Sequence, residues 1–172
     1  MLKHIDGVSV GLKGFNDEFY RRYCSAEIKP ILESLRIIKE SGVAFEITNV
    51  IIPTLNDDFQ QIEDMCIWIK ENLGEETQLH FYRYSPTYRL AQLPPTPIST
   101  LEHARKIAEN VGLKYVYVSY LDYPSPNFED KIYCSKCHKL VLYRKGNSPL
   151  LINNTINGKC KFCGEKINRL VK

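Results

Sequence analysis

Several features are missing from this 172-residue sequence, and each absence excludes something. No stretch reaches 18 consecutive apolar residues, so no segment reads as a membrane-spanning helix. The opening residues, Met1 to Asp6, are interrupted by charge and are not expected to act as a secretory leader. There is no internal repeat and no low-complexity tract. Charge of one sign is not in excess either: 23 basic and 20 acidic residues give a net charge of only +3, too little to point to nucleic acid or a membrane surface as partner. A hydrophobic content of 44% against 25% charged residues is that of a folded chain.

The charge is unevenly placed. Residues 1–128 hold 13 basic and 17 acidic groups, whereas residues 129–172 hold 10 basic and 3 acidic groups. The cysteines follow the same division, with four of six in the last 39 residues. We therefore expect two units, 1–123 and 124–172. With no leader expected and with such uneven spacing, the cysteines predict a metal site in a reducing, cytoplasmic setting and not a disulfide framework.

The first unit alternates strand and helix patterns. Strands are expected at Ile5–Leu12, Val43–Ile52, Gln78–Tyr84 and Tyr115–Val118. Between them lie apolar faces at helical spacing: Ile31, Leu32, Leu35 and Ile38; then Ile62, Met65, Cys66, Ile69 and Leu73; then Leu101, Ala104, Ile107, Ala108 and Val111. Asn16 is expected to cap a first helix, Thr54–Asp57 to cap the one after the second strand, and Ser99 to Glu102 to form a capping box. Pro30 should lie near the start of its helix, and Gly42, Gly74 and Gly112 should end theirs. Strands joined by single helices mean βα units and a parallel sheet, an α/β fold. The first strand has no sequence element to cover its outer edge, so either a partner covers it or the chain is part of a longer design.

Cys134-Ser-Lys-Cys137 and Cys160-Lys-Phe-Cys163 are two C-x2-C knuckles separated by 22 residues. Two thiolates from each tight turn complete a tetrahedron, which suits zinc in a closed structural site. His138 is a spare ligand only if a cysteine is lost. Segments 139–145 and 150–157 read as ribbon strands. In the first unit, Lys13 follows the first strand, at the end of a parallel sheet where anions bind. Glu46 and Thr48 share a strand face with Val50, opposite Phe45, Ile47 and Ile51, which suggests a wet cavity on the polar side. His80, Arg83 and Tyr84 extend that suggestion to the next strand. The loop 85–99 holds four of the nine prolines and is long enough to act as a lid. Tyr115, Tyr117, Tyr120 and Tyr123 are expected to pack, Cys66 to be an inert core thiol, and Cys24 has no visible role.

Taken together, the blocks Val8 to Asp17, Glu46 to Pro53, Asn56-Asp57, His80 to Pro86, Pro94 to Thr100, Gly112 to Val118 and Cys160 to Gly164 resemble one family. In that order they are similar to the C-terminal half of the AmmeMemoRadiSam-system radical SAM enzyme, a relative of pyruvate formate-lyase activating enzymes. The resemblance implies the C-terminal half of a partial (β/α)6 barrel with a zinc ribbon. It also implies S-adenosylmethionine (SAM) and a [4Fe–4S] cluster as cofactors, and hydrogen abstraction by a SAM-derived radical as the chemistry. By the same resemblance Lys13 contacts the methionine part of SAM, and Thr48 and Val50 line its pocket. The family's C-x3-C-x2-C cluster motif has no counterpart among the six cysteines. Where relatives read Asp-Leu-Lys the chain reads Gly11-Leu12-Lys13, and the place of a SAM-contacting histidine is Ser85. The implied partner is an N-terminal barrel half carrying the cluster motif, with other proteins of the same system behind it. A different class of reading is a non-catalytic zinc-ribbon module whose basic ribbon contacts nucleic acid or a partner protein.

Overall fold

The computed structural model describes residues 2–119, 129–145 and 149–167, which divide into two units, Met1–Leu121 and Asp122–Lys172. The expected boundary between 123 and 124 lies outside the described residues, as do Tyr120 and Tyr123.

In the first unit, four strands alternate with helices: β1 (Gly7–Gly11), the single turn α1 (Asp17–Phe19), α2 (Ile28–Ser41), β2 (Ala44–Ile51), α3 (Phe59–Leu73), β3 (Gln78–Arg83), α4 (Ile98–Val111) and β4 (Tyr115–Ser119). The strands pair in the order β1-β2-β3-β4, every pair parallel, as single-helix crossovers require. The pleat sorts side chains onto two faces. Val10, Ile47, Ile51, Leu79 and Phe81 join Leu35, Met65, Ile69, Leu101 and Ala104 of the helices in one buried core. The opposite face holds Ser9 and Gly11 of β1, Glu46, Thr48 and Val50 of β2, Gln78, His80 and Tyr82 of β3, and Tyr115, Tyr117 and Ser119 of β4. That face is polar and, at Thr48, Val50, Tyr82 and Tyr117, only half-buried. The polar side expected from Glu46 and Thr48 is there.

Local signals account for most boundaries. Asn16 accepts a hydrogen bond from Phe19 N at 2.7 Å and caps α1, which passes directly into a π-helical turn over Tyr20–Cys24. Pro30 is the third residue of α2 and not the first. The cap of α3 is Asp58, which accepts from Gln61 N at 2.9 Å; Asp57 instead accepts from Thr54 N and closes the preceding turn. The capping box at Ser99–Glu102 does not form. The helix begins one residue before Ser99, after Pro97, so Ser99 is already inside it and cannot take the extended conformation of a cap. Cys66 is fully buried on α3, and burial, with a smaller contribution from Glu63, pushes its thiol up to about 12. Cys24 is exposed.

The second unit is a small antiparallel ribbon. Strands β5 (Glu129–Tyr133), β6 (Leu140–Lys145) and β7 (Ile152–Asn153) form one sheet, and β8 (Thr155–Ile156) pairs with β9 (Lys159–Cys160). The segments expected at 139–145 and 150–157 supply β6, β7 and β8. Strand β5 was not anticipated, because its sequence, Glu-Asp-Lys-Ile-Tyr, carries three charges and no clean alternation.

Candidate metal centre and open sheet face

Each knuckle folds in the same way. His138 N donates to Cys134 O at 2.9 Å and Gly164 N to Cys160 O at 2.8 Å. Cys134 N donates to Lys139 O at 2.9 Å, and Cys160 N to Glu165 O at 2.7 Å. Each turn closes on a left-handed residue, Gly164 (φ 76°) in one and His138 (φ 54°) in the other. Glycine reaches that region without steric cost and histidine does not. His138→Gly is therefore expected to stabilise the ribbon by about 1 kcal/mol without changing its metal content. Differential scanning calorimetry with metal analysis checks this; a loss of metal would make His138 a ligand.

The two turns bring the four sulfurs to within 4.8 Å of one another, with Cys134 and Cys163 at 3.5 Å and Cys137 and Cys160 at 3.7 Å. A tetrahedron of thiolates about 2.3 Å from a central ion has edges of about 3.8 Å, so the spacing fits one cation and is far too long for a disulfide. Burial works against charge on the Cys160 thiol, but the Phe162 and Cys163 amides and the Cys137 and Cys163 thiols donate to its sulfur and bring it to about 7. At Cys163 the Glu165 amide favours the charge, yet burial and the three neighbouring sulfurs outweigh it and push the thiol up to about 12. Four thiolates this close repel one another unless a cation sits among them. Four of the eight residues in this unit's core are these cysteines, so the ion would supply much of what holds it together.

In the first unit, the loops after β1, β2 and β3 gather at the C-terminal edge of the sheet. Lys13 stands two residues beyond β1, exposed. Its chain folds back over Gly11, where a Cβ would lie 3.0 Å from both its Cε and its Nζ. Gly11 pairs with Thr48, so the ammonium lies over the polar face near Thr48. Among the described residues Lys13 has no ion-pair partner. Its backbone is held on both sides. Lys13 N donates to Tyr20 Oη at 3.0 Å, and Asn56 Nδ2 donates to Lys13 O at 2.7 Å. Burial, partly offset by the Lys13 and Gly14 amides, raises the Tyr20 hydroxyl above its ordinary value and keeps it protonated. Thr48 spends its hydroxyl on Val10 O at 3.4 Å, and Val50 lies half-buried one step nearer the sheet edge. Lys13, Thr48 and Val50 thus share the open face, and His80 joins them. Arg83 and Tyr84 do not: Arg83 Nε donates to Thr96 O at 2.9 Å, and Tyr84 is buried with its hydroxyl on Leu90 O.

Three residues shape this edge in ways the sequence reading does not assign, although Asn56 is read there as part of a capping loop and of the family resemblance. Asn56 Nδ2 reaches both Lys13 O and Val50 O while its Oδ1 accepts from Ile52 N. Asn49 Nδ2 donates to Leu12 O at 2.7 Å from the helix side of β2. Thr96, fully buried, donates to Ile51 O and accepts from Tyr84 N, anchoring the proline-rich loop. Asn49 was findable: it stands alone at a strand position whose neighbours of the same parity are Ile47 and Ile51.

No family model matches the chain. An uncharacterized protein of Methanocaldococcus jannaschii is 39% identical over 166 residues; the match takes in 95% of this chain and 48% of that one, so the chain spans about half the length of this relative. Among solved structures, a domain of a pyruvate-formate lyase-activating enzyme from Bacteroides vulgatus superposes with a TM-score of 0.61 at 14% identity, covering 69% of this chain and 70% of that one. A radical SAM methyltransferase from Sphaerobacter thermophilus superposes with a TM-score of 0.51 at 17% identity, covering 65% and 33%. The chain therefore shares its parallel α/β fold with these two structures, and a four-cysteine ribbon lies near its C-terminus. No helix among the described residues is long and apolar enough to cross a membrane.

Proposed function

We propose that the chain forms one wall of the SAM cavity in a radical SAM enzyme of the activating-enzyme type, that of the AmmeMemoRadiSam system, and carries a structural zinc ribbon. The observation that carries this reading is Lys13: an ammonium with no acidic partner among the described residues, folded over Gly11 at the C-terminal edge of a parallel sheet. A cation so placed suits the carboxylate of an amino-acid moiety. Thr48 and Val50 give the polar and apolar lining beside it. Bound SAM and a [4Fe–4S] cluster would supply one-electron chemistry for hydrogen abstraction; this chain's part is to bind and orient. The cluster ligands belong to an N-terminal half carrying C-x3-C-x2-C, and the archaeal relative, about twice as long, supports a design of that length.

The test is co-expression with such a half from a related full-length enzyme. A higher melting temperature of the pair, and SAM binding weakened at least tenfold by Lys13→Ala in calorimetric titration, are expected. A pair that never associates, or binds SAM equally without the lysine, overturns the reading.

A further inference from the structure

The open face of the sheet carries a single carboxylate among its described strand positions, and it stands inside β2 instead of at an edge. Glu46 Oε2 lies 3.2 Å from His80 Nε2 on the neighbouring strand. The imidazole is only 5% exposed although it belongs to the open face, because Tyr117 covers it with ring centroids 4.7 Å apart and Tyr82 stacks alongside at 6.2 Å and 18°. Glu46 itself keeps 35% of its side chain accessible, and its Oε1 has no partner among the described residues. Acidic residues are depleted inside strands, so one held there by a buried histidine between tyrosines calls for a reason.

We infer that Glu46 is the anionic end of a binding site for a guanidinium or primary ammonium group, with His80 as its positioning residue. An ionised carboxylate can only accept hydrogen bonds, so its ligand must bring N–H or O–H donors. Tyrosine faces attract cations through the ring quadrupole and offer nothing comparable to an anion. The imidazole stands within ion-pair distance of one carboxylate oxygen, and the other has no partner among the described residues. Lys13 takes the opposite role at the sheet edge, which keeps the two charges for different ligand groups. Placing this pair at the substrate end of the cavity rests on the SAM reading given above; the cation site itself does not.

The probe is agmatine, an alkyl guanidine with a terminal amine, titrated into the full chain while the amide resonances of residues 46–48 are followed by NMR. Saturable shifts with Kd on the order of 1 mM are expected, and none with the neutral 1-pentanol. Glu46→Gln should weaken binding at least tenfold with unchanged helical circular dichroism. Glu46→Asp, which keeps the charge but shortens the reach, should weaken it less. His80→Gln, which keeps a polar group beside Glu46, should stay within about threefold, whereas His80→Leu should lose tenfold. N-acetylarginine methylamide, as a second ligand, separates sources: binding tighter than agmatine makes a polypeptide arginine the ligand, and weaker binding a free amine. Unchanged binding in Glu46→Gln, equal shifts with pentanol, or no saturable shift overturns the inference. Lys13→Ala should leave agmatine binding intact, so agmatine binding without SAM binding defeats only the SAM reading, and SAM binding without agmatine binding defeats only this one.

Discussion

Replacing Cys160 with serine is expected to strip about one zinc per chain and unfold the second unit, while the helical signal of the first unit persists. Cys160 is 2% exposed and belongs to the same small core as Ile132, Val141, Leu142 and Ile167. With four thiolates at tetrahedral spacing the binding energy is the folding energy, on the order of 10–16 kcal/mol for small zinc domains at neutral pH. Serine is a poor ligand and leaves the ion on three thiolates with a coordination position open to water. Because every α-helix described lies in the first unit, circular dichroism near 222 nm separates the two events. Zinc measured by atomic emission after aerobic purification gives the stoichiometry. Acid should release the ion too, since protons compete with the metal for the sulfurs. Cys66→Ser and Cys24→Ser should keep the zinc, as neither sulfur belongs to the cluster. Protein without zinc, or zinc untouched by Cys160→Ser, would contradict the assignment.

What could be read from sequence depended on how local the cause was. The knuckles could be read because the two-residue gap fixes how a tight turn aims its sulfurs, and nothing remote alters that. Three helices and four strands were legible because each buries one face, and the period of that face is written in the chain. Position within an element was less legible. Ser99 to Glu102 has the capping pattern, but Pro97 sets the start of α4 and swallows it. The polar side of β2 was visible from Glu46 and Thr48, yet not what gathers there. Register with β3 and β4 sets His80 and Tyr117 alongside, and register is a property of the assembled sheet. Likewise Lys13 could be placed at the strand end, while its fold over Gly11 appears only once side chains have positions. Asn56 was the hardest to read. A lone asparagine in a turn looks like turn chemistry, and its partners Lys13 and Val50 lie on two different strand ends.

Asn56→Asp should cost roughly 3–5 kcal/mol at pH 7, a large loss for a change that preserves shape. The Asn56 amide nitrogen donates to Lys13 O at 2.7 Å and to Val50 O at 2.8 Å, and its oxygen accepts from Ile52 N at 2.6 Å. The residue is 6% exposed, so water cannot stand in for lost partners. An ionised aspartate keeps the bond from Ile52 N but sets a negative oxygen against two carbonyl oxygens. A protonated aspartate recovers one of the two donations. The native site thus favours the neutral acid and raises the folded-state pKa above the ordinary value of about 3.9. The sign follows from that shift. The variant is least impaired below the unfolded pKa, where both states are protonated, and loses stability as pH rises toward the folded pKa, because unfolding then releases a proton. Urea melts of both proteins between pH 4 and 7 should diverge as pH rises. Lys13 should suffer beyond stability, since its carbonyl loses the anchor that fixes the chain where the ammonium turns back over Gly11. SAM affinity of the paired halves should then fall in Asn56→Asp even where the protein remains folded, while Asn56→Ser, a smaller group able to donate one bond, should fall between. A pH-independent loss, or full SAM affinity with Asp at this position, would show that Asn56 does not brace the strand ends.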